Sequence, residues 1–351
     1  MTGSALAPGG LADVEDVIDG CFRDVSDRIG DVEGFGAVWE QVRQGAGGGK
    51  LMRPRLLLAA HGAFAEGGIE AAVRAAAALE LLHLAFLLHD DVIDRDLVRR
   101  GEPNLIALRR DAARESGAGE AAALHYGGSC AILAGDLLLS SAHRLIAELD
   151  TAATDRGALM HMLGDAIDAA AVGEHADIVL GLRGDAGEAA ILRTMEHKTA
   201  RYSFSAPLQM GALLGGAAPS TVEALGFIGT TIGVAFQARD DVLGVFGDPR
   251  CTGKSVLSDL REGKVTLLIA HARTHPEWAA AAGLFGDPEL DEDGAAVLRA
   301  AIERSGGLAR TEAVISDLVA EARASMLLAG LPDRLIGDLE NTIAGATERT
   351  R

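Results

Sequence analysis

The chain has 351 residues and carries 32 Lys and Arg against 51 Asp and Glu, a formal net charge of −19. A protein that binds nucleic acid needs a basic face to meet the phosphates, so this balance argues against such a partner. The three cysteines are far apart and form no Cys-x-x-Cys pair. Their spacing argues against zinc ribbons and redox pairs and favours a reduced, cytoplasmic protein.

Neither a signal peptide nor a membrane span is expected from the sequence. Residues 1–10 lack the basic and apolar regions of a signal peptide. The most apolar stretch, Leu79–Leu88, contains Glu80 and His83. It is shorter than the roughly 20 residues that cross a bilayer. We therefore expect a soluble protein without a transmembrane segment.

Helical periodicity runs along most of the chain, and no alternating strand pattern with hairpin turns is found. The predicted helices are Leu11–Ile29, Arg53–Ala65, Ile69–Asp91, Ala121–Leu149, Thr154–Gly181, Ala186–Leu214, Ser220–Asp241, Val265–His275, Ala295–Ser305, Leu308–Ala329 and Asp333–Thr347. Breaks with Gly or Pro fall at Gly45–Gly49, Gly101–Pro103, Gly247–Gly253 and Gly286–Pro288. This pattern predicts an all-α fold of ten or more helices. We expect one domain over residues 1–351, with residues 1–10 as a disordered N-terminus.

A glycine-rich loop with three cations precedes the second predicted helix. It begins at Gly47 and contains Lys50, Arg53 and Arg55. Glycines let backbone N–H groups approach a phosphate closely, and a helix N-terminus favours anions. The loop is therefore a candidate phosphate site, although glycine-rich loops with a lysine are common.

The third predicted helix ends in a cluster of carboxylates that includes Asp90 and Asp94. These two are four residues apart, so they share a face and lie about 6 Å apart along the helix axis. Like charges at this spacing repel, and the C-terminal end of a helix is unfavourable for anions. Mg²⁺ held by carboxylates and substrate phosphates would compensate. A solvated acidic helix end is the alternative.

Basic residues flank this acidic cluster. Arg99 and Arg100 follow it directly, which suits an anion that bridges a metal and a guanidinium. Surface ion pairing with Asp96 or Glu102 is the alternative. His83 lies seven residues before Asp90 and projects on nearly the same face; alone it would be interpreted as a hydrogen-bonded core histidine.

A second apolar helix runs into Asp240 and Asp241. Two such helix ends could face each other and hold several cations, about 3.5–4 Å apart in a two-metal site. The segment is not a full Asp-Asp-x-x-Asp motif, because Gly244 stands at the place of the last Asp.

Two lysines follow the second cluster. Lys254 lies in a Gly-Lys-Ser sequence, but Asp248 stands where a P-loop needs glycine. We therefore interpret Lys254 and Lys264 as point charges for diphosphate oxygens.

Together these segments resemble the trans-polyprenyl diphosphate synthases, the polyprenyl synthetase family. The resemblance is carried by Gly48-Gly-Lys-x-x-Arg-Pro54, His89-Asp-Asp-x-x-Asp94 with Arg99-Arg100-Gly101, Gly135-Asp136, Lys198-Thr199, Gln237-x-x-Asp240-Asp241, Gly253-Lys254 and Gly263-Lys264. Their order and spacing are similar to those of the family. The resemblance implies mostly antiparallel helices around a deep central cavity, and usually a homodimer. It also implies head-to-tail condensation of isopentenyl diphosphate with an allylic diphosphate, as in geranylgeranyl diphosphate synthases.

The resemblance also implies a role for each matching residue. The Mg²⁺ ligands would be Asp90, Asp91, Asp94, Asp240 and Asp241, with Asp177 as a further ligand. We expect three ions, replaceable by Mn²⁺. The allylic diphosphate would be held by Arg99, Lys198 and Lys254, and isopentenyl diphosphate by Lys50, Arg53, His83 and Arg100. Lys264 would assist near the cavity mouth, and Thr199 and Gln237 would direct oxygen dipoles at the allylic cation.

Three positions depart from the family pattern. Besides Gly244, Leu51 replaces a common basic residue, and Glu174 stands where the family often has Gln in Gly-Gln-x-x-Asp.

The residues four and five before Asp90 help to form the cavity floor in this family, and here they are Phe86 and Ala85. The small Ala85 opens one side while Phe86 blocks part of the path. We therefore predict a C20 product, with C15 and C25 products as alternatives.

Other proteins could share this fold. A class I terpene cyclase usually has Ser or Thr at the position of Gly244 and has no clear use for Lys50, Arg53 and Arg100. A head-to-head squalene-type synthase is disfavoured for the same reason. A non-catalytic subunit of a synthase would lose metal aspartates, whereas both clusters are largely present here.

Overall fold

The computed structural model describes residues 10–347 except 31, 33, 66, 185 and 248–256. The described chain is helical almost throughout, which confirms the prediction of an all-α fold. Its contacts divide it into two compact units. The first extends to Leu163 and includes Leu213–Gly216, and the second comprises Gly164–Ala212 and the chain from Ala217 onward. The single domain over residues 1–351 stays a prediction.

The first unit contains long helices and one short hairpin. Its elements are α1 (Gly10–Ile29), α2 (Phe35–Ala46), α3 (Met52–Phe64), α4 (Ile69–Ile93), β1 (Val98–Arg99), β2 (Glu102–Pro103), α5 (Leu105–Glu115), α6 (Glu120–Ala147) and the start of α7 (Ala153–Arg183). The predicted disordered N-terminus is one residue too long, because Gly10 begins α1 and is buried near Leu58. Residues 1–9 lie outside the described part.

Helix α4 lies at the centre of the first unit and carries the first aspartate cluster. Its residues Ala75–Leu79 are all fully buried, so the helix is covered on every side along this stretch. It packs against α1, α3 and α6. Because its apolar residues are fixed on all sides, the polar residues in its second half have defined positions.

The loop after α4 forms a two-stranded antiparallel hairpin in which Arg99 pairs with Glu102. The sequence analysis found no hairpin, because strands of two residues are too short to show an alternating pattern. The turn places Arg100 at φ 55° and Gly101 at φ 82°. Positive φ at both central residues is typical of a tight hairpin turn, and it costs little at glycine.

The second unit begins within α7 and is built on α10. Its elements are the rest of α7, α8 (Glu188–Met195), a π-helical segment (Glu196–Ser205), most of α9 (Ala206–Leu214), α10 (Pro219–Phe246), α11 (Ser258–Glu262), α12 (Leu267–Ala272), α13 (Pro276–Ala279), a 3-10 turn (Ala282–Leu284), α14 (Glu292–Arg304), α15 (Gly307–Leu328) and α16 (Asp333–Thr347). The long predicted helix 186–214 is thus interrupted by the π segment. Helices α2, α5, α11 and α13 were not predicted; α11 and α13 have five and four residues, too few to show a helical period.

Small residues bring α10 close to the π segment. A Cβ atom built on Gly233 would lie 2.6 Å from Cα of Ala200, and one on Gly229 would lie 2.8 Å from Cα of Ser205. Contacts this short do not occur between real side chains and backbone, so only glycine fits at both positions. This close packing fixes the π segment relative to α10.

Three helices are long and apolar enough to cross a membrane by length and composition: Ile69–Ile93, Glu120–Ala147 and Pro219–Phe246. The sequence predicted that the most apolar stretch, Leu79–Leu88, is too short to cross a bilayer. This prediction is wrong on length, because the alanines before Leu79 extend the apolar part of α4. In their most apolar windows, 67%, 50% and 61% of residues are buried within the protein. The absence of a transmembrane segment stays a prediction.

Candidate active site

The first aspartate cluster lies where α4 ends. Asp94 caps the helix, and its backbone N–H donates to the carbonyl of Asp90 at 2.8 Å. Asp94 is exposed and Asp90 is half-buried, whereas the Asp91 side chain is only 3% exposed. Two of the three predicted ligands therefore have accessible carboxylates one helical turn apart.

Arg99 holds this cluster from the hairpin. Its guanidinium donates to Asp91 Oδ1 at 2.5 and 2.8 Å and to Asp90 Oδ2 at 3.3 Å. Burial raises the pKa of Asp91, and the bonds from Arg99 oppose that rise. Asp91 thus anchors Arg99, and the cation offsets the like charges of Asp90 and Asp91.

Asn104 fixes the hairpin that carries Arg99. Its side-chain amide donates to the carbonyl of Asp96 at 2.7 Å, and its Oδ1 accepts from the N–H of Ala107 at 3.1 Å. One residue thereby closes the loop and caps the N-terminus of α5. The sequence analysis missed Asn104; an Asn directly before a helix is the signal that could have revealed it.

Gly135 admits the ring of His89 beside α6. A Cβ at position 135 would overlap the ring and lie 2.6 Å from its Cδ2. His89 Nε2 lies 3.5 Å from Asp136 Oδ1 and 3.4 Å from the carbonyl of Ile132. The Gly135-Asp136 pair therefore supports the residue that precedes the aspartate cluster.

A group of cations surrounds the preceding turn of α4. Burial lowers the pKa of His83 well below its usual value, and Arg53, Arg99 and Arg100 lower it further. His83 therefore lies close enough to three guanidiniums for their charges to act on it. Of the residues predicted to hold isopentenyl diphosphate, Arg53, His83 and Arg100 are thus brought together.

Glu80 lies among these cations, one turn before His83. It is 7% exposed, and its Oε2 is buried without a hydrogen-bond partner in the described structure. Burial raises its pKa, while Arg53 and Arg100 lower it. A Cβ built on Gly49 would lie 3.6 Å from Glu80 Oε1 and 3.9 Å from Arg100 Nη2, so the glycine loop reaches the same group. Sequence analysis missed Glu80 as a functional residue; a lone acid in an apolar helix was its signal.

Lys50 is the remaining residue predicted to hold isopentenyl diphosphate. Its side chain is exposed, and its backbone carbonyl accepts from Arg55 Nε at 3.0 Å. Leu51, at the departure from the family pattern, has φ 48° and precedes α3. The Lys50 side chain is exposed to solvent, whereas Arg53 is buried.

The second unit has its own charged group, centred on the π segment. Lys198 Nζ lies 2.7 Å from Asp177 and 2.9 Å from Glu174, both on α7. Glu174, where the family often has Gln, therefore contributes a second negative partner. The predicted diphosphate ligand Lys198 and the predicted metal ligand Asp177 form an ion pair here.

Gly173 makes this ion pair possible. A Cβ at position 173 would overlap the backbone nitrogen of Lys198 and lie 2.5 Å from its Cα. The backbone of α7 and the π segment therefore touch at this point. π-helical turns are frequent at functional sites, and this one carries both Lys198 and Thr199.

A chain of polar contacts runs from Thr199 to Lys264. The Thr199 hydroxyl donates to Gln237 Oε1 at 2.9 Å, and Gln237 Nε2 donates to Asp241 Oδ1 at 3.1 Å. Lys264 Nζ donates to the same Asp241 oxygen at 3.3 Å. Burial raises the pKa of Asp241 to about 6; Lys264 opposes this rise, and Asp259 adds to it. Asp241 therefore accepts hydrogen bonds from Gln237 and Lys264 and holds both side chains in place.

These groups line one small cavity of about 40 Å³ in the second unit. Its polar lining consists of Thr194 together with Asp177, Lys198, Thr199, Gln237, Asp241 and Lys264. All of these except Thr194 were predicted as site residues.

The remaining predicted residues of the second unit are Asp240 and Lys254. Asp240 is half-buried on α10, beside Asp241. Lys254, together with the neighbouring Gly253 and Asp248, lies outside the described residues.

The donors fit a magnesium site that the substrate completes. No group of three or more His, Cys, Asp or Glu side chains in the described ranges is close enough to hold a metal ion. Asp91 and Asp241 accept hydrogen bonds from Arg99 and Lys264 instead. Mg²⁺ commonly binds through one or two carboxylates plus substrate phosphates, so Asp90 and Asp94 match its requirements.

The two predicted chain-length residues have different surroundings. Ala85 is fully buried in α4, while Phe86 is half-buried. A larger residue at position 85 would displace packed neighbours, whereas Phe86 retains accessible surface. Their effect on chain length stays a prediction.

Comparisons with known proteins agree on the family. The polyprenyl synthetase family model matches residues 39–293. A farnesyl diphosphate synthase of Mycobacterium bovis is 34% identical over 299 residues, 84% of this chain and 77% of the relative. A geranylfarnesyl diphosphate synthase of Aeropyrum pernix is 34% identical over 282 residues, 79% of this chain and 82% of the relative.

A solved structure is similar over nearly the whole chain. It is a geranylgeranyl pyrophosphate synthase from Corynebacterium glutamicum, crystallised with isoprenyl diphosphate and magnesium. Its TM-score is 0.87 at 30% identity, covering 96% of this chain and 98% of that one. The family match, the relatives and this fold lead to one conclusion: the chain belongs to the trans-polyprenyl diphosphate synthase family and is a prenyltransferase.

Proposed function

We propose that this enzyme condenses isopentenyl diphosphate head-to-tail with an allylic diphosphate. The observation that carries the proposal is the end of α4, where Arg53, His83 and Arg100 gather one to two turns before the accessible carboxylates of Asp90 and Asp94. Cations for one diphosphate, on α3 and in the hairpin, thus lie beside the helix that carries the carboxylates for the metal of another. The relatives' names and the magnesium-containing homologue support this proposal.

Each diphosphate has its own proposed set of binding residues. Arg53 and Arg100, whose charges act on the buried Glu80, bind the diphosphate of isopentenyl diphosphate, and His83 donates a hydrogen bond to it. Arg99, Lys198 and Lys254 hold the allylic diphosphate. Asp90, Asp94 and Asp240 hold Mg²⁺ directly, and Asp91, Asp177 and Asp241 complete or orient the shell. When bound, Mg²⁺, in a proposed set of three ions replaceable by Mn²⁺, would neutralise the diphosphate and stabilise the leaving charge.

The chain's own groups then guide the carbon chemistry. The allylic C–O bond breaks, and the hydroxyl oxygen of Thr199, oriented by Gln237, faces the resulting allylic cation. The alkene of isopentenyl diphosphate attacks this cation to form the new C–C bond. The departed diphosphate takes the final proton, so no side-chain base is needed. Apolar side chains exclude water, which would otherwise capture the cation.

Turnover by the purified protein tests this function. The assay contains Mg²⁺, isopentenyl diphosphate and dimethylallyl, geranyl or farnesyl diphosphate in turn. Asp90→Ala should lower kcat/KM about 100-fold or more, equivalent to about 2.7 kcal/mol of transition-state stabilisation. Asp16→Asn, which removes an exposed carboxylate on α1, is the control. An active Asp90→Ala variant would refute the metal assignment. Absence of turnover with every primer would favour a non-catalytic subunit.

We propose geranylgeranyl diphosphate, C20, as the main product. Phe86 narrows the path one turn before Asp90, while Ala85 adds no bulk. A helical turn of about 5.4 Å is comparable to one isoprene unit, so the floor position sets the number of additions. Chromatography of the products from each primer tests this proposal against C15 and C25. A dominant product of C30 or longer would refute the floor argument.

We further propose that the enzyme is a cytoplasmic homodimer that pairs through α6. This helix carries the exposed apolar side chains Leu124, Tyr126, Ile132 and Leu133, which are 37–55% exposed. Exposed apolar surface of this kind marks interaction sites. Light scattering after gel filtration should give twice the chain mass of 36.2 kDa, and Leu133→Lys should shift the protein to the monomer. A wild-type monomer would refute the proposal.

A further inference from the structure

The missing aspartate of the second motif leaves a space that another carboxylate fills. Gly244 lies on α10 one turn after Asp240, where the family pattern has its last Asp. A Cβ built on Gly244 would overlap Oδ2 of Asp259 and lie 3.1 Å from its Cγ. The carboxylate of Asp259 therefore occupies the place from which a side chain at position 244 would extend.

The backbone around Asp259 is held rigidly. Asp259 lies on the short helix α11, and its carbonyl accepts from the N–H groups of Gly263 and Lys264. Gly263 has φ 69°, a left-handed conformation that suits glycine and ends the helix. These bonds connect the position of Asp259 to that of Lys264, which contacts Asp241.

Two further contacts fix α11 to the rest of the second unit. The Arg261 guanidinium donates to the carbonyl of Leu290 at 2.6 and 2.9 Å. The carbonyl of Leu260 accepts from the N–H of Gly286 at 2.9 Å, and the Leu260 side chain is 1% exposed. Asp259 is therefore presented by an anchored helix.

The Asp259 carboxylate is also available. It is half-buried, and no side-chain hydrogen bond or ion pair to it is found among the described residues, although its charge acts on Lys264 and on Asp241. Asp241, by contrast, already accepts from Gln237 and Lys264. Of the acids around the second cluster, Asp259 is thus better placed than Asp241 to bind a new cation.

We propose that Asp259 supplies the third carboxylate of the second aspartate motif, in the space that Gly244 leaves, and holds a divalent cation together with Asp240. This inference rests on the proposed synthase function. Gly244 then has a positive role, because a side chain there would displace Asp259. The carboxylate is supplied from α11 instead of from the next turn of α10.

Cation binding tests the proposal apart from turnover. Free Mn²⁺ is titrated by electron paramagnetic resonance in the presence of inorganic diphosphate, for wild type, Asp259→Asn and Asp317→Asn. The last variant removes an exposed carboxylate on α15 and serves as the charge control. Asp259→Asn should weaken Mn²⁺ binding about 10-fold, and Asp317→Asn should leave it unchanged. Equal affinities for wild type and Asp259→Asn would overturn the proposal.

A double variant tests the spatial exchange. Gly244→Asp alone should weaken Mn²⁺ binding, because the new side chain collides with Asp259. Gly244→Asp combined with Asp259→Ala restores one carboxylate to the same space and should recover most of the wild-type affinity. A folded double variant, checked by circular dichroism, that binds Mn²⁺ as weakly as Asp259→Asn would overturn the exchange. If the double variant does not fold, Asp259→Asn against Asp317→Asn decides the proposal.

Failure of this inference can be distinguished from failure of the proposed function. Wild-type turnover with isopentenyl and allylic diphosphates is measured in parallel. Turnover with normal Mn²⁺ binding by Asp259→Asn would overturn the inference alone. Absence of wild-type turnover, with Mn²⁺ binding that depends on Asp259, would overturn the synthase function and leave the cation site supported.

Discussion

Gly173→Ala should both destabilise the second unit and displace Lys198. A methyl at position 173 would overlap the nitrogen of Lys198 and lie 2.5 Å from its Cα and 2.6 Å from the carbonyl carbon of His197. Ordinary carbon contacts are about 3.5–4.0 Å, so α7 and the π segment must separate by about 1 Å. Overpacking of this kind typically costs about 1–3 kcal/mol. A 1 Å displacement near the reacting groups can lower kcat/KM about 100-fold.

Gly164→Ala on the same helix provides a matched control. A Cβ at position 164 meets nothing within 4 Å, so alanine there should stabilise the helix by about 0.5–1 kcal/mol. Differential scanning calorimetry of both variants should therefore show shifts of opposite sign, and only Gly173→Ala should lose activity. Equal stability and activity in the two variants would refute the close approach of α7 to Lys198.

Three further substitutions have specific expected results. Phe86→Ala removes the partial floor of the cavity and should lengthen the main product by about one isoprene unit, since one helical turn is about 5.4 Å. Chromatography of the products measures the chain length, and a shorter main product would contradict the prediction. Glu80→Gln removes the buried negative charge beside Arg53 and Arg100. Steady-state kinetics should then show KM for isopentenyl diphosphate raised about 10-fold, the effect of about 1.4 kcal/mol, with the allylic KM unchanged; equal rises in both would argue against the assignment. Glu312→Gln breaks a two-bond ion pair with Arg239, which is 14% exposed, and should lower the free energy of unfolding in urea by about 1–3 kcal/mol. Glu340→Gln breaks the more exposed pair with Arg323 and should lower it by about 0–1 kcal/mol. Equal losses of stability in the two variants would contradict the reasoning.

Local patterns predicted most of the long helices because their apolar residues repeat at helical spacing. The predicted helix Leu11–Ile29 corresponds to an observed helix over Gly10–Ile29, and Asp333–Thr347 matches its observed bounds. Short elements were missed, since a five-residue helix such as Ser258–Glu262 shows too little periodicity.

The site residues were predicted where the resemblance supplied motifs, and missed where burial decides the role. Asp177, Lys198 and Gln237, which the motifs contain, line one cavity, and their roles stay predictions. Glu80 was missed, because a sequence does not show that a lone carboxylate in an apolar helix lies near Arg53 and Arg100. Asp259 was missed because its proposed role depends on the space beside Gly244, and only the packing of α11 on α10 shows that Asp259 fills that space.

The π segment between Glu196 and Ser205 has a consequence for comparing relatives. Hydrogen bonds that span five residues accommodate more residues per turn than an α-helix does. Deletion of one residue in this stretch would allow an ordinary helix but would rotate the residues on one side by about 100° relative to those on the other. Lys198 and Thr199 would then no longer face Asp177 and Gln237 together. A single-residue gap at this place in an alignment therefore indicates a relative with a rearranged site, even where every motif is present.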